Sequence, residues 1–285
     1  MAELLKGKPV ADALNEVLLP QIEDLKSKGI TPTLAFVRVG EREDDLAYER
    51  GATKRCETLG IERKYYVLES DCSQEELLSV IESINKDPGI HGCLLFRPLP
   101  KHLDEAAACA ALDPAKDVDG ITETSLFGVF ANQPKGFPPC TADACMQVLR
   151  HYGYEVSGAN VAVVGRSLVI GKPLSMMLQA ANATVTMCHT RTRDLPGVCK
   201  NADILVVAAG HIGTIQAAAV REDQVVIDVG MNWDEAASKF VGDVVFDEVE
   251  PLVKAITPVP GGVGSVTTAV LASHVVKAAQ RAQEQ

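Results

Sequence analysis

The sequence predicts an α/β fold in two domains, each built around a parallel sheet. Short apolar runs that read as buried strands alternate with amphipathic helical stretches over most of the chain. Glycines and capping residues punctuate these segments where helices should stop and start. The 285 residues also exceed the usual reach of one small hydrophobic core, so one large or two modest domains are expected.

Residues 10–28 read as an amphipathic helix closed by Gly29, a residue suited to a C-terminal cap. A buried strand at 33–39 stops at Gly40, and a helix at 44–59 stops at Gly60. A short strand at 65–68 precedes a helix at 73–85, where Ser73 and Glu76 have the spacing of a capping box. A strand at 92–96 runs into Pro98-Leu99-Pro100. This first half is a β/α unit repeated about three times. Residues 113–139, rich in Asp, Gly and Pro, are expected to be loop, and a helix at 141–152 leads onward. Four apolar strands follow at 160–164, 184–188, 204–208 and 225–229, alternating with helices at 173–181 and 195–201. That spacing is of a Rossmann-type doubly wound nucleotide-binding sheet. A helix at 267–284 ends the chain.

The 47% hydrophobic and 23% charged fractions are those of an ordinary globular protein. No apolar run approaches the roughly 18 to 20 residues needed to span a bilayer, and the first residues lack the pattern of a signal peptide. A cytoplasmic protein is expected. A formal charge of −11 argues against nucleic-acid or anionic-membrane surfaces, which need clustered Lys and Arg. The eight cysteines show no paired CxxC spacing and the six histidines no HExxH pattern, so reduced buried thiols and no metal site are expected.

Gly165-Arg166-Ser167, followed by Gly171-Lys172-Pro173, places one glycine at the end of a strand and another at the start of a helix. Backbone there can approach a pyrophosphate, and the helix N-terminus offers free N–H groups. The alternative is a plain strand-to-helix turn. The next strand ends in His189-Thr190-Arg191, with no carboxylate before Asp194. A dinucleotide site that holds a ribose 2′-hydroxyl needs an acid there, whereas hydroxyl and guanidinium groups suit a 2′-phosphate. NADP is therefore favoured over NAD; on the other reading Arg191 and Arg193 are solvated surface charges.

Further motifs carry a resemblance. Pro114-Ala115-Lys116-Asp117-Val118-Asp119-Gly120, Pro139-Cys140-Thr141, the Gly165 loop, Val226-Ile227-Asp228-Val229-Gly230, Gly242-Asp243-Val244 and residues 256–264 all resemble the methylenetetrahydrofolate dehydrogenase/cyclohydrolase family, nearly end to end. The resemblance implies a folate-binding catalytic domain at 1–140, a nucleotide domain at 141–266, a cleft between them, and helix 267–285 returning to the first domain. It also implies a homodimer, and a substrate that is a one-carbon derivative of tetrahydrofolate.

In that family a Tyr and a Lys one helical turn apart, a Gln before Pro-Leu-Pro, and the second Asp of Lys-Asp-Val-Asp-Gly surround the folate. Tyr48 and Asp119 match and are the expected catalytic pair. Ala52 stands at the Lys position and Phe96 at the Gln position. Asp45, Arg97 and Ser265-Val266 are further departures, from a Ser, an apolar residue and Pro-Met. Phe96, Pro98, Leu99, Gly262 and Thr267 are expected on the substrate side, and Met231, Asn232 and Thr257 around the nicotinamide. Lys54 is rotated by roughly 200° from Ala52 on a helix, so it reaches the site only through a shift or bulge.

Moving a hydride from the methylene bridge requires alignment but no proton transfer. Hydrolysis of the resulting methenyl cation adds water and moves protons, work for a general acid/base such as a lysine. The expectation is a dehydrogenase with weak or absent cyclohydrolase activity. A conventional bifunctional enzyme and a non-catalytic binding homologue are the two other readings.

Overall fold

The computed structural model describes residues 1–235 and 237–283. Strand β1 (Glu3–Leu4) precedes helix α1 (Gly7–Ser27), whose first turn holds Pro9, a position where the missing N–H has no helical partner anyway. Then come β2 (Thr33–Val39), α2 (Glu43–Leu59), β3 (Glu62–Leu68), α3 (Gln74–Lys86) and β4 (Gly92–Leu95). The three strands form a parallel sheet in the order β3-β2-β4. Strand β2 is buried at every position, which explains the apolar run Leu34-Ala35-Phe36-Val37 within it. The expected capping box is present: the Ser73 hydroxyl accepts from Glu76 N at 3.1 Å, and Ser73 N donates to Glu76 Oε2 at 2.7 Å.

Two short helices follow, α4 (Glu105–Ala111) and α5 (Glu123–Phe130). The second falls within the stretch expected to be loop. Its start is fixed by side chains and not by an amphipathic period: the Thr122 hydroxyl accepts from Ser125 N at 3.2 Å, and Asp117 accepts from Ile121 N and Thr122 N at 2.9 and 2.8 Å.

Beyond α6 (Cys140–His151) the chain forms β5 (Asn160–Val164), α7 (Gly171–Ala180), β6 (Thr184–Cys188), α8 (Leu195–Lys200), β7 (Ile204–Val207) and β8 (Val225–Asp228). A hairpin of β9 (Asn232–Asp234) and β10 (Lys239–Val241) comes next, then α9 (Phe246–Val249), β11 (Ala255–Ile256) and α10 (Val263–Ala282). The expected end of the last helix at Glu284 lies outside the described residues. Six parallel strands are ordered β1-β11-β8-β7-β5-β6.

Contacts divide the chain into two compact units. One comprises Met1–Asp12 and Thr141–Thr267; the other comprises Ala13–Cys140 and the residues from Thr268 onward. The first twelve residues, expected with the N-terminal domain, therefore belong to the unit with the large sheet. Glu3 and Leu4 pair with Ala255 and Ile256, and Leu5 N donates to Ile256 O at 2.9 Å. Two-residue strands carry too little pattern to be read from sequence, and here they complete a sheet edge. Among the described residues no helix is long and apolar enough to cross a membrane.

In the six-stranded sheet, β6 and β7 flank β5 on opposite sides, so chain direction across the sheet reverses at β5. Gly165 ends β5 at φ +134°, and a Cβ on it would collide with the Ala208 carbonyl beyond β7. The sheet's own packing demands this glycine. Gly165→Ala is expected to destabilise the protein by at least about 2 kcal/mol, through strain and collision together; urea unfolding with an unchanged midpoint would contradict this.

Candidate active site

In the unit that contains the three-stranded sheet, α2 and the loop after β4 bring Tyr48, Phe96 and Asp119 together. An ion pair sets α2 against β2: Arg38 Nε lies 3.0 Å from Glu49 Oε2, with both side chains largely buried, and Arg38 also donates to Gly40 O. Glu49 is the neighbour of Tyr48, so this pair fixes the turn that carries the tyrosine. The Tyr48 ring meets Phe96 edge-on, with centroids 6.2 Å apart, and Phe96 stacks on Phe36 at 6.3 Å. Burial pushes the Tyr48 hydroxyl well above its ordinary range, and the Asp119 carboxyl and Cys140 thiol add to the shift.

Asp119 is half-buried. Burial pushes its carboxyl up to about 6, against the opposing pull of Arg97. Its loop is locked to the segment before α6: Gly120 sits at φ +70°, and a Cβ there would run into the backbone of residues 137–139. The two motifs around Asp119 and Cys140 thus form one packed turn.

Ala52 is only 1% exposed and lies in the buried stripe of α2 with Asp45, Cys56 and Leu59. Lys54 is exposed, and α2 is an uninterrupted α-helix across both positions. The shift or bulge that would bring Lys54 inward is absent. Phe96, 5% exposed, replaces hydrogen-bonding capacity with an apolar wall.

Other expected substrate residues are placed differently. Pro98 is exposed, and its carbonyl accepts from Arg42 Nη1 at 2.8 Å. Leu99 points into the core with Leu95 and Leu103, so its side chain is not available to a ligand. Gly262 and Thr267 are buried in the other unit, where the Thr267 hydroxyl donates to Val263 O at 3.3 Å along its own helix.

The residues expected to hold a nucleotide follow β5 and β6. Gly165 lies at the switch point, while Arg166 and Ser167 are exposed. The Ser167 hydroxyl accepts from Ile170 N at 3.1 Å, ahead of Gly171, Lys172 and Pro173 in the first turn of α7. Lys172 is exposed and Pro173 buried. After β6, His189 Nδ1 accepts from Arg191 N at 3.1 Å, forming a turn that leaves Thr190 and Arg191 exposed. Among the described residues no carboxylate is within ion-pair distance of Arg166, Arg191 or Arg193. The first acid, Asp194, is occupied as the cap of α8, accepting from Gly197 N at 3.2 Å.

Sequence reasoning quoted the motifs of Asp228, at the end of β8, and Asp243, after β10, but gave these two buried carboxyl groups no role. Asp228 accepts from Gly230 N, Asp243 N and Val244 N at 3.0 to 3.1 Å. Asp243 in turn accepts from Ala209 N, Gly210 N and His211 N, and from Asn232 Nδ2 at 2.9 Å. Asn232 was expected to face the nicotinamide, but its amide is engaged here. Thr257 is fully buried, with its hydroxyl bonded to the Asp228 backbone at 2.8 and 3.1 Å, so it too is structural. Met231, 61% exposed, does line a pocket of about 160 Å³ formed by residues 228–231 and 258–265. An acid closing an apolar strand, as in Val226-Ile227-Asp228, was the available signal. No disulfide links the eight cysteines, and among the described residues no cluster of acids, cysteines and histidines could hold a metal.

Burial raises the Asp228 carboxyl to about 7, despite its three N–H donors. The folded state therefore binds more protons than the unfolded chain between the two pKa values. This contribution to stability is complete below about pH 4 and is lost as pH rises through about 7. From pH 5 to pH 7 the wild type should lose on the order of 2 kcal/mol more than Asp228→Asn; equal losses in chemical unfolding would refute the assignment.

Comparison with known proteins places both halves. Residues 5–119 match the family model described as tetrahydrofolate dehydrogenase/cyclohydrolase, catalytic domain, and residues 139–283 match its NAD(P)-binding domain. A protein of Carboxydothermus hydrogenoformans named bifunctional protein FolD is 51% identical over 281 residues, covering 98% of each chain. The solved bifunctional FolD enzyme of Campylobacter jejuni is 37% identical, with a TM-score of 0.95 over 99% of both chains. That of Trypanosoma brucei, complexed with NADP cofactor and inhibitor, is 31% identical, with a TM-score of 0.94 over 100% of this chain and 99% of its own.

Proposed function

Because the chain belongs to the tetrahydrofolate dehydrogenase/cyclohydrolase family, we propose that it oxidises 5,10-methylenetetrahydrofolate to 5,10-methenyltetrahydrofolate with NADP as hydride acceptor. The observation that carries this reading is the exposed, carboxylate-free set Arg166, Arg191 and Arg193 at the strand ends around a glycine loop. When bound, NADP supplies the oxidising nicotinamide. Arg166, Arg191 and Arg193 hold its 2′-phosphate, the N-terminus of α7 and Lys172 face its pyrophosphate, and the pocket beside Met231 takes the nicotinamide end. The NADP-bound relative from Trypanosoma brucei supports the same choice. Tyr48 and Asp119 hold the folate, the acid pairing with the donor edge of the pterin, while Phe96 and Ala52 exclude water beside them.

For hydrolysis of the methenyl product two readings stand. The full-length relatives named bifunctional favour a chain that also forms 10-formyltetrahydrofolate. This chain's own residues support weak or absent hydrolysis, because Ala52 and Phe96 replace the Lys and Gln and Lys54 is turned to solvent. Loss of a general acid/base costs on the order of 10² to 10⁴ in rate. We also read the protein as a homodimer, to which the exposed Trp233 and Phe240 of the hairpin, with ring centroids 5.2 Å apart, offer an apolar surface.

Purified protein given methylenetetrahydrofolate and NADP should accumulate the methenyl form, which then decays at its spontaneous rate. Ala52→Lys combined with Phe96→Gln should accelerate that decay. Decay faster than spontaneous in the wild type establishes the bifunctional reading instead, and silence with both NADP and NAD the non-catalytic one. Arg191→Ser should raise KM for NADP about tenfold, the value of one charge-assisted hydrogen bond, and leave KM for NAD unchanged; equal effects on both would remove Arg191 from the phosphate site.

A further inference from the structure

Behind Asp119 lies a buried group that the proposed chemistry does not use. His274 on α10 is 1% exposed, and its Nδ1 is 2.8 Å from the Val118 carbonyl, one residue before Asp119. A carbonyl only accepts, so Nδ1 carries the proton. The Cys140 thiol donates to the same carbonyl at 3.2 Å and lies 3.6 Å from Nδ1, and it is one of the groups that pull the Asp119 carboxyl down. The imidazole is held in place by Phe137, with ring centroids 4.9 Å apart, and the Arg281 guanidinium lies 4.4 Å from the centre of the Phe137 ring.

Two donors thus converge on one carbonyl, and only one of them is needed there. Because His274 already donates to Val118, the one Cys140 S–H can serve either that carbonyl or the Asp119 carboxyl. We propose that His274 is a positioning residue for Asp119, acting through the Val118 carbonyl and the Cys140 thiol. Its functional consequence rests on the folate reading of Asp119; its structural content does not.

The groups around Asp119 come from several elements. Arg97 follows β4, Cys93 lies on β4, Asp117 is in the same loop, Tyr48 is on α2, Cys140 opens α6 and His274 is on α10. Asp117 is already fixed by Ile121 N, Thr122 N and the Thr122 hydroxyl. Arg97 pairs with Glu105 at 3.4 Å. Among these, Arg97, Cys140 and His274 favour the ionised carboxyl, whereas Asp117 opposes it.

The test follows the Asp119 carboxyl directly by NMR of isotope-labelled aspartate, with Asp119→Asn identifying the signal. His274→Ala should move its titration midpoint upward, and His274→Asn, which keeps a donor for Val118, should restore it. Cys140→Ala should shift it in the same direction, and Cys140→Ser should not. A midpoint unmoved in His274→Ala and Cys140→Ala, with wild-type melting curves, overturns the proposal whether or not folate is the substrate. If the folate reading also holds, His274→Ala raises KM for methylenetetrahydrofolate about tenfold, leaves KM for NADP unchanged, and is rescued by His274→Asn. A parallel fall in kcat and rise in both KM values, together with a lost melting transition in His274→Asn as well, assigns His274 a merely structural role.

Discussion

The end of the large sheet at which β8 stops depends on two buried carboxyl groups. Asp228 closes β8 by collecting three backbone N–H groups, and Asp243 does the same for the loop after β7. The donors on Asp228 would otherwise be buried without partners, at a cost of roughly 1 to 3 kcal/mol per group, whereas those on Asp243 come from the exposed loop residues 209–211. Between them they link β8, the loop at 209–211, the hairpin and Thr257. Outside this framework the glycine loop, the exposed cations Arg166, Lys172 and Arg191, and the exposed Met231 remain open to solvent.

The other unit is organised around a different balance. Its aromatic series Tyr65, Phe36, Phe96 and Tyr48 forms an apolar wall beside a single half-buried acid. Such a setting suits a reaction that moves a hydride, since it orients a flat substrate and keeps water away. A reaction that must deliver and remove protons gains less from it. The relatives' names point one way and these side chains another, and the difference centres on Ala52 and Phe96, beside which Asp45 and Arg97 also depart from the family pattern.

Periodicity made the β/α order readable, because strands such as β2 and β7 are buried on both faces and their helices carry clear apolar stripes. Capping chemistry was readable too, as at Ser73 and Glu76. What escaped were elements whose cause lies elsewhere in the chain. Strand β1 exists because β11 offers it an edge, and α5 exists because Asp117 and Thr122 gather its first N–H groups. The motifs of Tyr48 and Asp119 pointed to two residues that the fold does bring near each other, and the outward face of Lys54 followed from helical geometry. Leu99, Asn232 and Thr257 were expected to line a ligand, and their side chains are engaged in the core, with Asp243 and with the Asp228 backbone, because a residue within a binding motif can also support the backbone of that motif.

Seven of the eight sulfhydryls are buried, and burial holds those of Cys56, Cys93, Cys145 and Cys199 up at about 12. Peroxides and alkylating reagents attack the thiolate, so at physiological pH these four offer almost no target. A protein so constructed should keep working through oxidative episodes that silence enzymes relying on an exposed reactive sulfur.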